Sequence, residues 1–226
     1  MSAITASASQ KAHGRSRPVR NNLTTALSRL FRHQLAVLGS VLVVFCVGIA
    51  VFAPLIAPYN PSQTDFLAVL QPPSANHLLG TDDLGRDILS RLVYGARLSL
   101  QVSLAAVAVA ALIGVPIGLI VGYLGGWLDM TVMRLMDSLM SLPSLVLALT
   151  IAAVLGSGLI NTTLAIAVVA IPSYARLMRG QVLSVQQNEY VLAARASGAP
   201  TWLILVRYLL PNAISPAIVL ASLGVG

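Results

Sequence analysis

Long apolar runs alternate with short polar stretches along this chain. They occupy Leu35–Ile56, Leu100–Tyr123, Leu135–Leu155 and Leu159–Leu177. The first holds 22 residues, about 33 Å as a helix, which is enough to cross a hydrocarbon core of about 30 Å. From Leu139 to Ala175 no Asp, Glu, Lys or Arg interrupts the pattern. Four helical spans are therefore predicted. A fifth run, Ala213–Gly226, has 14 residues and reaches only about 21 Å. The expectation is that the sequence stops inside its fifth span, as a truncated version of something longer.

Composition turns this pattern into a class. Apolar residues make up 57% and charged residues 9%, against roughly 25% charged in a soluble domain. So few charges cannot cover a water-facing surface, so much of the surface must face lipid. The fold class is an all-α integral membrane protein, a polytopic helical bundle of four full spans plus part of a fifth. Its net charge of +7 does not point to nucleic acid, which calls for a basic stripe in polar surroundings. The single cysteine, Cys46, lies in an apolar run and excludes an intrachain disulfide.

The basic residues set the orientation. With the N-terminus inside, the tail and the segments 124–134 and 176–212 hold eleven of the fourteen, and the outer segment holds only Arg86, Arg91 and Arg97. That is a positive-inside bias. The Arg- and Ser-rich tail also admits an organellar transit peptide as an alternative. The expected organisation is a basic cytoplasmic tail (1–34), a first span (35–56), an outer segment (57–97) and a transmembrane core (98–226) with a cytoplasmic loop at 184–211.

Enzymatic chemistry is not expected. The only lysine is Lys11, in the tail, so the chain has no phosphate loop of the G-x-x-x-x-G-K-[ST] kind. His13, His33 and His77 lie outside the spans at no metal spacing. No metal or cofactor is therefore predicted. Asp137, read as one turn into the third span, is the only acid placed for a proton relay. The alternative reading is an acid at the positive end of a helix dipole. Ion coupling through backbone carbonyls stays open, so a secondary carrier is one functional reading. Otherwise transport needs energy from a partner.

Two local patterns carry more information. Gly114, Gly118, Gly122 and Gly126 recur every four residues, a spacing that lets a neighbouring helix approach closely; Pro116 among them should bend the helix. Residues 184–211 read SVQQNEYVLAARASGAPTWLILVRYLLP. Ser184 and Gln187 fit a capping box that starts a helix. Gly198 fits the left-handed residue that ends it, with Pro200 just beyond. Thr201 starts a second helix, expected to end at Tyr208 or Leu209 before Pro211. Val185, Tyr190, Val191 and Ala194 would form one apolar face, and Ala193 with Ala194 would keep it shallow enough for another protein's groove.

This segment resembles the EAA loop of ABC-transporter permeases. That pattern is Glu-Ala-Ala, three residues, Gly, nine residues, Ile, one residue, Leu-Pro; Ala193, Ala194, Gly198, Leu210 and Pro211 match it. Leu192 stands at the Glu position and Tyr208 at the Ile position, and Glu189 lies one turn earlier as a substitute acid. Residues 77–100 (HLLGTDDLGRDILSRLVYGARLSL), PPS at 72–74 and GGWLDMTVMRLMD at 125–137 are similar to the C-type permease of dipeptide, oligopeptide and nickel importers. The resemblance spans about residues 35–226. It implies a type I importer permease in a bacterial inner membrane, paired with a second permease. It also implies two ATP-binding subunits inside and an extracytoplasmic substrate-binding protein outside. Glu189, Ala193, Ala194, Gly198, Leu210 and Pro211 then form the contact with the ATPase. GTDDLGRD (80–87) is expected to be a surface loop and short helix at the outer mouth, or a docking point for the binding protein. Arg176, Arg179, Arg195 and Arg207 are expected to meet acidic ATPase surface or lipid headgroups. An inactive permease fragment or membrane scaffold is the further alternative.

Overall fold

The computed structural model describes residues 34–225. The basic tail, with Lys11, His13 and His33, lies outside the described residues. Among the described residues all regular secondary structure is helical apart from one bridge.

Two compact units divide the chain between Gly48 and Ile49. Helix α1, Gln34–Val51, lies mostly in the first. It is apolar all round, with Leu38 and Val41 to Phe45 exposed, as a lipid-facing span requires. The run expected to continue to Ile56 breaks at Phe52, and a short helix α2, Ala53–Ile56, follows. Pro54 explains the break: it has no N–H to return to the preceding turn.

The second unit is built on α3, Ile88–Leu124, and α6, Leu159–Val185. Both exceed the predicted spans, α3 at its start and α6 at its end. Both run through an internal proline, Pro116 and Pro172, without ending. Between them the expected continuous third span is two helices, α4 (Gly126–Met140) and α5 (Ser144–Leu155), bent by 92°. Pro143 and the restriction it places on Leu142 account for the break. After α6 come α7, Glu189–Ala196, then α8, Thr201–Ala213, and α9, Ser215–Val225. The last two are bent by 56°. Three of these helices are long and apolar enough to cross a membrane, or five if each bent pair is one span.

The turn between α6 and α7 departs from the sequence expectation. Ser184 starts no helix. It lies in the last turn of α6, and α7 begins after Asn188, which takes the extended N-cap conformation. The helix from Thr201 does not stop before Pro211 either. Residues Ile204–Leu209 form a π turn, whose wider spacing buries both Ile204 and Leu209. Pro211 cannot bond back to the Arg207 carbonyl, and the widened turn ahead of it accommodates the ring, so the helix continues to Ala213.

The core lies along α3 and α6 and spreads to one end. Ala110, Val115 and Leu119 of α3 meet Tyr174, Met178 and Val182 of α6. Val191, Ile204, Leu209, Ala213 and Ala217 complete it from α7, α8 and α9.

Candidate functional site

The glycine seam sets the position of everything else. A Cβ at Gly114 would lie 2.6 Å from Tyr174 Cβ, one at Gly118 2.2 Å from the Ala175 carbonyl oxygen, and one at Gly122 3.1 Å from that of Arg179. At Gly114 and Gly118 only hydrogen fits, and at Gly122 a methyl group would need its neighbours to give by a few tenths of an ångström, so the two backbones touch along the seam. Residue numbers rise together along the seam, so α3 and α6 run parallel. Gly126 is not part of it. With φ +62° and no atom within 4 Å of a Cβ, it and Gly125 form the sharp turn into α4.

At the start of α3 the segment 57–87 folds into a turn-rich polar cap, without the short helix expected of residues 80–87. Asp87 is the N-cap: its Oδ2 accepts from Ser90 N–H at 2.8 Å and from the Ser90 hydroxyl at 2.7 Å. His77 Nδ1 lies 3.1 Å from the other oxygen, and the Tyr59 N–H donates to Ser90 Oγ at 3.1 Å. Burial raises the Asp87 carboxyl, but the bonds from Ser90 and the neighbouring His77 outweigh it and hold it below its ordinary value. Asp82 organises the preceding turn. Burial again opposes its charge, yet the backbone N–H groups of Arg86 and Leu84 and the side chains of Arg86 and Arg91 hold it well below the usual carboxylate range. Gly85 makes the turn possible: its φ is +72° and a Cβ would lie 1.8 Å from the Asp65 carbonyl oxygen.

At the other end of α3 lies the short helix α7. Val191 and Ala194 are buried against the core, while Glu189, Tyr190, Leu192 and Ala193 are exposed. Of the two alanines only Ala194 lies on the inward face, and Tyr190 is not on it either. Gly198, at φ +75°, ends the helix. The Ala199 N–H donates to the Ala194 carbonyl at 3.1 Å and the Gly198 N–H to that of Arg195 at 3.0 Å, the paired bonds of a Schellman turn. Leu210 is half-buried and Pro211 exposed on α8, so neither shares a helix with Ala193.

Of the four arginines expected to meet acidic ATPase surface or lipid headgroups, two are paired with acids of this chain. Arg179 forks onto Asp129 at 2.5 and 2.6 Å, and Arg176 bonds to Asp137. Sequence reasoning missed both pairs, because 39 and 50 residues separate the partners. Asp137 also lies in the last turn of α4, the negative end of that dipole, because the predicted span is broken. The cation that faces it is Arg176, in an exposed ion pair. The Arg195 guanidinium lies 4.5 Å from the Tyr123 ring centroid and donates to Gln186 Oε1 at 3.2 Å. Among the described residues only Arg207 of the four makes neither an ion pair nor a stacking contact.

Beside the seam a cavity of about 790 Å³ opens between α3, α6 and α9. Leu98, Val102 and Ile166 give it apolar walls, and Ser99, Ser103 and Thr162 line it with hydroxyls.

Residues 114–226 match the family model described as the binding-protein-dependent transport system inner membrane component. Residues 22–73 match the N-terminal transmembrane domain of oligopeptide transport permease C. The chain is similar to the dipeptide transport system permease protein DppC of Alkalihalophilus pseudofirmus, 44% identical over 89% of this chain and 66% of the relative. It is 46% identical to the di/tripeptide transport system permease protein DppC of Pseudomonas aeruginosa, over 85% and 66%. The glutathione transport system permease protein GsiD of Pectobacterium atrosepticum is 38% identical, over 88% and 66%. The chain thus spans just under two thirds of the length of these relatives.

Proposed function

Because the chain belongs to the family of binding-protein-dependent transport system inner membrane components, we propose that it forms one half of the path by which an ATP-driven importer moves small peptides across the inner membrane. The other half is a second permease. Two ATP-binding subunits on the cytoplasmic side supply the energy, and an extracytoplasmic binding protein delivers the solute. This chain makes and breaks no covalent bond in that cycle. The peptide class is argued from relatives named for dipeptides, di/tripeptides and glutathione.

The observation that carries the reading is the placing of α7. Its inner face is anchored on the core at the end of α3 and α6, and its outer face offers Glu189, Leu192 and Ala193 to a partner. We assign that outer face, ended by Gly198 and continued by Leu210 and Pro211, as the contact with the ATP-binding subunit. A push on α7 then reaches α3 and α6 together, because Gly114, Gly118 and Gly122 leave no slack between them, and the spans move as a two-state body. The N-terminus and α7 then lie in the cytoplasm and residues 57–87 outside, as the positive-inside bias requires.

The test is uptake of a labelled dipeptide into vesicles holding the full-length permease with its copurified partners. Uptake that requires ATP and an Ala193→Cys cross-link to the ATP-binding subunit are expected. Gly198→Glu, which loses the left-handed residue and adds a charge at the contact, should leave ATP hydrolysis without uptake. Uptake driven by an ion gradient without ATP would replace this reading with a secondary carrier.

A further inference from the structure

We infer that Arg195 is the positioning residue that locks the coupling helix α7 to both long helices, so that one guanidinium transmits its movement. The inference rests on the assignment of α7 to the ATPase contact and goes beyond it by naming the linkage on the permease side.

Arg195 lies in the last turn of α7. Its guanidinium lies over Tyr123, in the last turn of α3. One of its N–H groups reaches Gln186, the C-cap of α6. A single cation therefore stands where three helices end. Each end presents carbonyl groups without helical partners and a partial negative charge, the setting in which a cation is favoured. Arg176 and Arg179 contrast with it. Each is held by a carboxylate, whereas among the described residues no acid lies within ion-pair range of Arg195. Its charge is balanced by helix ends and a ring face, so the link is directional but not saturated by a counter-ion. Arginine suits this better than lysine, because its planar fork can stack on the ring while donating in plane to Gln186.

The other contacts of α7 are unspecific by comparison. Val191 and Ala194 meet the core with small side chains, which hold the helix against it without fixing its rotation. Arg195 supplies the rotational register. Without it α7 stays docked, and its movement is shared unevenly between α3 and α6.

The experiment uses the complete transporter with the full-length permease in vesicles, measuring ATP hydrolysis and dipeptide uptake in parallel. Arg195→Ala should keep ATP hydrolysis and lower the solute moved per ATP roughly two- to fivefold, the range of a lost cation–π contact. Arg195→Lys, which keeps the charge over the ring and loses the fork, should recover part of it. Tyr123→Phe should match the parent and Tyr123→Leu should match Arg195→Ala. The double variant Tyr123→Leu with Arg195→Ala should be no worse than either single one. An unchanged ratio in Arg195→Ala overturns the inference. So does an equal fall of hydrolysis and uptake that tracks the amount of folded protein. The Ala193→Cys cross-link to the ATP-binding subunit separates the two claims. If it forms and the ratio is unchanged, only the lock fails. If it does not form in the parent background, the coupling assignment fails and the lock with it.

Discussion

The two ends of α3 are held in different ways. At Asp87 the chain is fixed by directional polar bonds: one carboxylate caps the helix through Ser90 and contacts His77, and another, Asp82, gathers Arg86, Arg91 and two backbone N–H groups. Glycines at 80 and 85 supply turns no other residue fits. At Tyr123 the docked helix α7 is held mainly by the small apolar side chains of Val191 and Ala194, with one stacked arginine that also bonds to Gln186. Charge fixes geometry sharply but makes it depend on protonation. Small apolar contacts by themselves tolerate sliding and rotation, so at this end, among the described residues, the stacked Arg195 is the one directional contact of α7 with the ends of α3 and α6. About 55 Å of continuous helix separates the two regimes.

The sharpest way to break this contrast is to break the helix pair that joins the ends. Gly118→Ala places a methyl group 2.2 Å from the Ala175 oxygen, Gly114→Ala 2.6 Å from Tyr174 Cβ and Gly122→Ala 3.1 Å from the Arg179 oxygen. Thermal unfolding in detergent should rank them in that order. The first should cost about 3 kcal/mol and the last under about 1 kcal/mol. A reversed order would mean the seam does not carry the unit. Next in size, Asp87→Ala should cost about 1–2 kcal/mol locally, the value of a lost N-cap. Hydrogen exchange should quicken at Ser90 and its neighbours and leave Val191 and Ala194 unaffected. If both ends loosen together, the two are not independent.

Acid should separate the ends without a mutation. Asp82 and Asp87 both have folded pKa values below the unfolded value of about 3.9. Their contribution is therefore complete above about pH 5 and is lost as pH falls below about 4 toward the folded values. Exchange at residues 80–90 should rise over that interval and exchange at residues 191–199 should rise less. A small and purely local effect is expected at Gly198→Ala. A Cβ there meets nothing within 4 Å, so the cost is only the left-handed conformation, about 1 kcal/mol. Amide exchange across the Schellman turn reports it.

Sequence patterns expose the features that depend on neighbours along the chain. The four-residue glycine spacing pointed to a close helix contact, and Gly198 followed by Pro200 to a helix end, because both are local rules. The helix boundaries failed where the local signals competed. Ser184 has the chemistry of a cap, but the apolar row Tyr174, Met178 and Val182 packs on α3 and carries α6 past it. Pro143 breaks the third span and Pro116 does not break the second, because Gly114 and Gly118 hold the latter firmly against α6. The arginine pairs were invisible for a different reason. Arg179 and Asp129 meet only because α4 folds back beside α6, and periodicity carries no information about that.

The length of α3 makes bilayer thickness a variable for this protein. Its apolar part, Leu98–Leu124, is about 40 Å long, about 10 Å more than the hydrocarbon core. A mismatch of that size is met by tilt or by local thickening of the lipid. Since α3 and α6 are joined at the backbone, they tilt as one rod. A thinner membrane inclines both, and carries the docked α7 with them. Acyl-chain length should therefore act on this subunit as a tuning parameter even where no lipid headgroup is recognised.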